Sequence, residues 1–164
     1  MKKLYLVRHG KSSWKYRELS DFERPLNDRG RRDVPFMAQL LAKQNIKPDI
    51  IVSSPALRAY FTARTFAMIL DYPLEKIVSS ELIYEAGLNE LIAMLSKIDN
   101  SCQSVMLTGH NPGLTVLNNT LSEQYIDNIP TSGIVALDLE IAGWNDLKAD
   151  CAKTEFFEFP KKYF

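Results

Sequence analysis

The chain contains two histidines, His9 and His110, and each lies in a short segment that also holds a glycine or a proline. His9 follows Arg8 and precedes Gly10; His110 lies between Gly109 and Asn111-Pro112. A second arginine, Arg58, closes the segment Ser53-Ser54-Pro55-Ala56-Leu57-Arg58. Four nitrogen-rich side chains held together repel one another unless an anion lies between them. A phosphoryl group meets that need, because guanidinium forks bind its oxygens in pairs. An imidazole can also attack phosphorus as a nucleophile. Taken singly, either histidine reads as an ordinary packed or surface residue; taken together, with arginines in tight turns, they read as a site. A metal centre is disfavoured: zinc needs several neutral His, Cys or carboxylate ligands, and an arginine beside each histidine opposes a cation. No cofactor is expected.

Such a site requires elements that bring these segments to one place. Leu4–Val7, Ile50–Val52 and Val105–Leu107 are short runs apolar on both faces, as buried parallel strands are. Ile134–Leu139 and Phe156–Phe159 read as later strands nearer an edge. Asn27 is placed to cap a helix bearing Val34, Met37, Leu40 and Leu41, with Pro35 expected to kink it or shift its start. Ser53-Ser54-Pro55 reads as strand end, N-cap and proline in the first helical turn, followed by Leu57, Phe61, Ala63, Phe66, Ala67 and Leu70 at helical spacing. Leu88–Ile98 reads as a third helix. Asn111-Pro112-Gly113 repeats the cap-and-proline device before Leu114, Leu117 and Leu121. The expected fold is α/β, a three-layer α/β/α sandwich with a mostly parallel central sheet, in one domain spanning 1–164. Ligands of such sheets lie beyond the carboxyl ends of the strands. Both histidines fall at those ends.

The bulk properties agree. With 164 residues, 46% of them hydrophobic and 24% charged, the chain matches an ordinary globular protein able to bury a core unaided. Its 20 basic and 20 acidic residues cancel, so no general field attracts nucleic acid or an anionic membrane, although a local basic pocket is compatible with that balance. The four apolar residues after Met1-Lys2-Lys3 are too few for a signal peptide or a membrane span. Cys102 and Cys151 show no CxxC pattern and read as reduced packing residues, which suits the cytoplasm. Trp14 and Tyr16 could wall a cleft or simply pack; Lys161-Lys162 read as a solvated tail.

These segments resemble a known family. Leu6-Val7-Arg8-His9-Gly10 is similar to the RHG signature of the histidine phosphatase, or phosphoglycerate mutase-like, superfamily. Ser53 to Arg58 with Thr62-Ala63 resembles its SPxxR segment, and Gly109-His110-Asn111-Pro112-Gly113 its second histidine. Asp21 to Gly30, with Arg24-Pro25-Leu26 inside it, resembles the RPLxxxG stretch of the short SixA-type phosphohistidine phosphatases. Leu82–Ala86 and Pro130-Thr131-Ser132-Gly133 resemble further segments of that group, so the similarity spans nearly the whole chain.

The resemblance implies roles. His9 would attack phosphorus and carry the phosphoryl group; Arg8, Arg58 and His110 would hold its oxygens. Arg24 would add a phosphate contact and Ser12 would line the pocket. Larger members supply a glutamic acid from the segment that here reads Leu82-Ile83-Tyr84-Glu85. Glu85 is therefore the candidate general acid, one residue beyond the matching place, which Tyr84 holds; Asp21 and Asp28 are the other carboxylates within range. Expelling an alkoxide needs a placed proton donor, whereas imidazole takes up a proton near pH ~6.5. A site with a weak acid therefore favours P–N substrates. The expectation is a phosphatase acting on phosphohistidine in a partner protein, such as a phosphorelay or phosphotransfer component, with no nucleic-acid or membrane partner. The alternatives are a phosphomonoesterase for a small metabolite or nucleotide, a mutase, which the short chain disfavours, and a phosphate-binding module without turnover. The proposed chemistry needs no metal, so activity is expected to survive a chelator.

Overall fold

A computed structural model describes residues 1–164. Its centre is one six-stranded sheet: β1 (Lys2–Arg8), β2 (Ile50–Ser53), β3 (Val78–Ser79), β4 (Ser104–Gly109), β5 (Ile134–Leu139) and β6 (Ala152–Glu158). The order is β3-β2-β4-β1-β5-β6. The first four strands in that order run parallel; β5 is antiparallel to β1, and β6 to β5. Four helices cover the sheet: α1 (Asp28–Lys43), α2 (Leu57–Ile69), α3 (Leu88–Ser96) and α4 (Gly113–Leu121).

The runs apolar on both faces are explained by two cores. Leu4, Leu6, Val105, Leu107, Val135 and Leu137 point to one side, against Leu91 and Leu95 of α3 and Leu114, Leu117 and Leu121 of α4. Tyr5, Val7, Met106, Ile134 and Ala136 alternate to the other, against Val34, Met37 and Leu41 of α1 and Ala63, Phe66 and Ala67 of α2. Helices after β1 and β2 thus pack on one face and those after β3 and β4 on the other. Since β1 and β4 are neighbours, a crevice opens between their carboxyl ends where the chain departs in opposite directions.

Two helix starts differ from the sequence expectation. Asn27 caps α1 as expected, accepting from the Gly30 N–H at 2.9 Å, and the helix runs through Pro35 to Lys43. By contrast α2 begins at Leu57, not at Pro55. The Ser54 hydroxyl accepts from the Ala56 N–H at 3.2 Å and so braces the turn before the helix. The buried face of α2 is then Arg58, Ala59, Thr62, Ala63, Phe66 and Ala67, while Leu57 and Phe61 lie on its exposed side. At α4, Pro112 precedes the first helical residue, and the Asn111 side chain accepts from the Thr115 N–H and hydroxyl at 3.3 and 2.9 Å.

Candidate active site

Beyond the end of β1 the backbone makes a turn held from three directions. The Ser132 N–H donates to the carbonyls of Arg8 and His9 at 3.1 and 3.0 Å, and the Arg8 N–H donates to Gly133. The Pro130–Gly133 segment is therefore the back wall of the turn. Gly10 donates to the Thr62 hydroxyl at 3.0 Å, and a Cβ there would stand 2.5 Å from the Val34 side chain, so helices from two segments close around it.

His9 is buried and its Nδ1 donates to the Gly10 carbonyl at 2.7 Å. A carbonyl can only accept, so the proton sits on Nδ1 and the lone pair on Nε2. His110 lies across the crevice, with ring centroids 5.1 Å apart, and its Nε2 bonds the Ser54 hydroxyl at 2.7 Å. Burial first, then the His110, Arg58 and Arg8 charges, pushes the His9 imidazole down to about 3 against a bond to Gly10 that favours its charged form. His110 falls to about 4, again through burial first and then Arg58. Both imidazoles are neutral at pH 7.

The arginines surround them. Arg8 donates from Nη1 to the Ile129 carbonyl at 2.9 Å and leaves its buried Nε without a partner. Arg58 and Arg24 are each only 7% exposed. Both converge on Asp21. Arg58 reaches the Asp21 carbonyl at 2.6 Å and its carboxylate at 3.0 Å; Arg24 reaches the other carboxylate oxygen at 2.8 Å. Arg24 also donates to the Ser12 hydroxyl and to the Ser13 carbonyl, and stacks 3.4 Å from the centre of the Trp14 ring. These side chains line a cavity of about 380 Å³ whose wall carries Arg8, His9, Arg24, Arg58 and His110 together. Ser12 and Glu85 also line it. Seven of the residues singled out from the sequence, Arg8, His9, Ser12, Arg24, Arg58, Glu85 and His110, meet at one pocket.

The carboxylates divide. Asp28 lies in the first turn of α1, exposed and paired with Arg31, away from the cavity; the Asn27 cap leaves it facing water, so it is not a candidate acid. Asp21 is in the pocket, but Tyr84 donates to it at 2.7 Å and two arginines pair with it. Burial, the largest single influence, opposes ionisation there; the bonds from Tyr84 and Arg58 outweigh it and hold Asp21 below the usual carboxylate range. Glu85 stands exposed at the mouth with φ 55°, in the left-handed region. Tyr16 lies outside this pocket, whereas Trp14 lines it.

Sequence reasoning did not assign the hub role of Asp21 or the part of Tyr84. The Tyr84 ring packs edge-on against His110 at 5.5 Å and against Phe22 at 5.1 Å, which aims its hydroxyl at Asp21. Its position in the Leu82–Ala86 segment was the available signal. No group of three or more His, Cys, Asp or Glu side chains is arranged to hold a metal ion.

The fold and pocket define a class: an α/β protein with two neutral histidines and buried arginines around one cavity at the switch point of its sheet. The family model of the histidine phosphatase superfamily (branch 1) matches residues 4–92, and the chain belongs to that superfamily. His110 lies beyond the matched span and is brought to the site by the fold. The chain is 30% identical over 122 residues to an uncharacterized chloroplastic protein of Arabidopsis thaliana, a stretch covering 68% of this chain and 55% of that relative. Among solved structures, the protein histidine phosphatase SixA complexed with tungstate is similar with a TM-score of 0.84 and 22% identity over 99% of both chains. A protein of Agrobacterium tumefaciens assigned as phosphohistidine phosphatase SixA gives 0.80 and 28% identity over 97% of this chain and 98% of that one. No helix is long and apolar enough to cross a membrane.

Proposed function

We propose that this protein is a phosphatase that works through a phosphohistidine on His9 and removes phosphate from phosphohistidine in a partner protein. The observation that carries the reading is the His9 tautomer: Nδ1–H is spent on Gly10, so a neutral, buried Nε2 faces a cavity walled by Arg8, Arg58 and His110. In the first step Nε2 bonds to phosphorus as the bond from phosphorus to the substrate's imidazole nitrogen breaks. The released imidazole takes a proton from solvent. In the second step water bonds to phosphorus, the bond to Nε2 breaks, and inorganic phosphate leaves. Arg8, Arg58 and His110 hold the equatorial oxygens, whose charge grows in both steps. Arg24, braced by Ser12, extends the cationic wall.

The P–N preference rests on the carboxylates. Asp21 is ionised and fully engaged, so it has no proton to give, and Glu85 is exposed at the mouth. A leaving imidazole needs little help. The free thiols Cys102 and Cys151 suit a reducing compartment such as the cytoplasm. Likeness to SixA phosphatases supports the same substrate class.

The test sets a phosphohistidine-bearing carrier protein beside an aryl phosphate, with wild type and His9→Ala. Dephosphorylation of the carrier, lost by at least ~10³-fold in His9→Ala, is expected. Full activity in His9→Ala would overturn the mechanism. A second reading, a small-molecule phosphomonoesterase, draws on Glu85, which lines the cavity mouth. In that case Glu85→Gln would abolish aryl phosphate turnover, and the carrier would not be a substrate.

A further inference from the structure

A second cleft of about 290 Å³ opens beside the catalytic cavity, and Arg8, Lys11 and Thr131 line both. Its far wall adds Arg29 of α1 and Lys161 of the C-terminal turn, and none of its lining residues is acidic. In a chain whose formal charge is zero, four cations around one small cleft are a segregation of charge. The two neighbouring lysines of the tail separate in role. Lys162 is spent on the Phe157 carbonyl at 2.8 Å and the Glu158 carboxylate at 3.3 Å. Lys161 is exposed and has no acidic partner within 4.0 Å, nor does Lys11. Arg29 shares its charge with the buried Asp33, at 3.5 Å, so it is held in place on the helix.

We propose that this cleft is a second anion subsite, which takes Asp or Glu side chains of the polypeptide that presents its phosphoryl group to His9. The inference rests on the phosphatase reading for which end of the substrate enters the main cavity. A polypeptide is favoured over a compact anion because the cations come from three separated elements, the turn after β1, α1 and the C-terminal turn, and all three side chains are exposed. Carboxylates spaced along a chain can meet them one by one. A phosphoryl group seated against Arg8 leaves the rest of its carrier at the shared rim, where the cleft begins.

The experiment uses the full chain and two phosphohistidine peptides of equal length, one flanked by Asp and Glu, the other by Ser and Gln. Exposed ion pairs are individually weak, so the acidic peptide is expected to show about a fivefold higher kcat/KM, through KM rather than kcat. Lys161→Glu should abolish that advantage while leaving the neutral peptide unchanged, and 0.5 M salt should remove the advantage while weakening both peptides through their shared phosphoryl group. Equal kcat/KM for both peptides, or an advantage that survives Lys161→Glu, overturns the subsite. Should neither peptide turn over, the phosphohistidine reading fails by itself, and calorimetry with the unphosphorylated acidic peptide still decides the subsite. Binding weakened about fivefold by Lys161→Glu sustains it; binding unchanged by that substitution overturns it. A propane bisphosphate favoured over propyl phosphate, with the two peptides alike, would overturn the assignment to a protein segment.

Discussion

On the carboxylate of Asp21 three side chains from three segments meet: Arg24, Arg58 and Tyr84. The charge of Asp21 offsets two guanidinium groups that are almost fully buried, which a neutral residue could not do. It is therefore a positioning residue, and its low proton affinity is the mark of that role. Asp21→Asn keeps the shape but weakens each of these bonds. Hydrogen bonds to a charged partner are worth about 1.5–3 kcal/mol, so kcat/KM is expected to fall about 10- to 100-fold. The loss should be the same for a phosphohistidine peptide and for an aryl phosphate, with the pH profile unmoved. A loss confined to the ester, together with loss of an alkaline limb, would make Asp21 a proton donor instead. Tyr84 belongs to the same device: its hydroxyl, raised above its usual range by burial first and then by the bond to Asp21, keeps its proton and donates it.

Among the elements, α1 is tied to the site through direct backbone contact. A Cβ on Gly30 would lie 2.4 Å from the Lys11 carbonyl oxygen and 3.0 Å from its nitrogen, so the helix touches the backbone just after His9-Gly10. Two opposed effects act on Gly30→Ala. Helix propensity gains about 1 kcal/mol. Forcing apart two backbones costs about 1–3 kcal/mol and moves the turn that holds His9. The expected result is a lower urea midpoint together with reduced turnover. A raised midpoint with full activity would show that the turn yields. The start of this helix was readable because a cap is local chemistry: Asn27 and Gly30 are three residues apart. The start of α2 was misplaced for a related reason. Ser54 had two possible partners, and the bond to His110, 56 positions away, is invisible in the Ser-Pro pattern.

Over the whole molecule, the protonation of the two histidines ties stability to pH. Folded, they titrate at about 3 and about 4; unfolded, near 6.5. Below 6.5 the unfolded chain therefore binds protons that the native state refuses, and stability falls as pH drops toward those folded values. Each imidazole contributes about 1.4 kcal/mol per pH unit. Urea unfolding at pH 7 and pH 4.5 should show a smaller loss in His9→Asn than in wild type, by about 2–3 kcal/mol. Identical losses would mean that His9 is protonated in the folded protein.

The sequence alone determined five of the six strands, the α/β layering and the candidate set Arg8, His9, Arg58 and His110. The two-residue edge strand β3 was too short to show, and β6 begins at Ala152, ahead of the Phe156–Phe159 run that signalled it. Strands that form central rungs must be apolar on both faces, and strand-to-helix turns demand glycine, proline and capping residues at fixed local offsets. Those constraints act over a few residues and leave their mark in composition. Only the tertiary structure decided how the set is supported. The link from Arg58 to Asp21 spans 37 positions and that from Tyr84 to Asp21 spans 63. Ser12, Trp14, Asp21 and Arg24 lie in loop and short-turn segments with no periodic signal, and Lys161 reaches the cleft from the other end of the chain. Such contacts are chosen by where the sheet order brings loops together, so one carboxylate among several became the anchor of two arginines, while Asp28, seven residues away, was left in water.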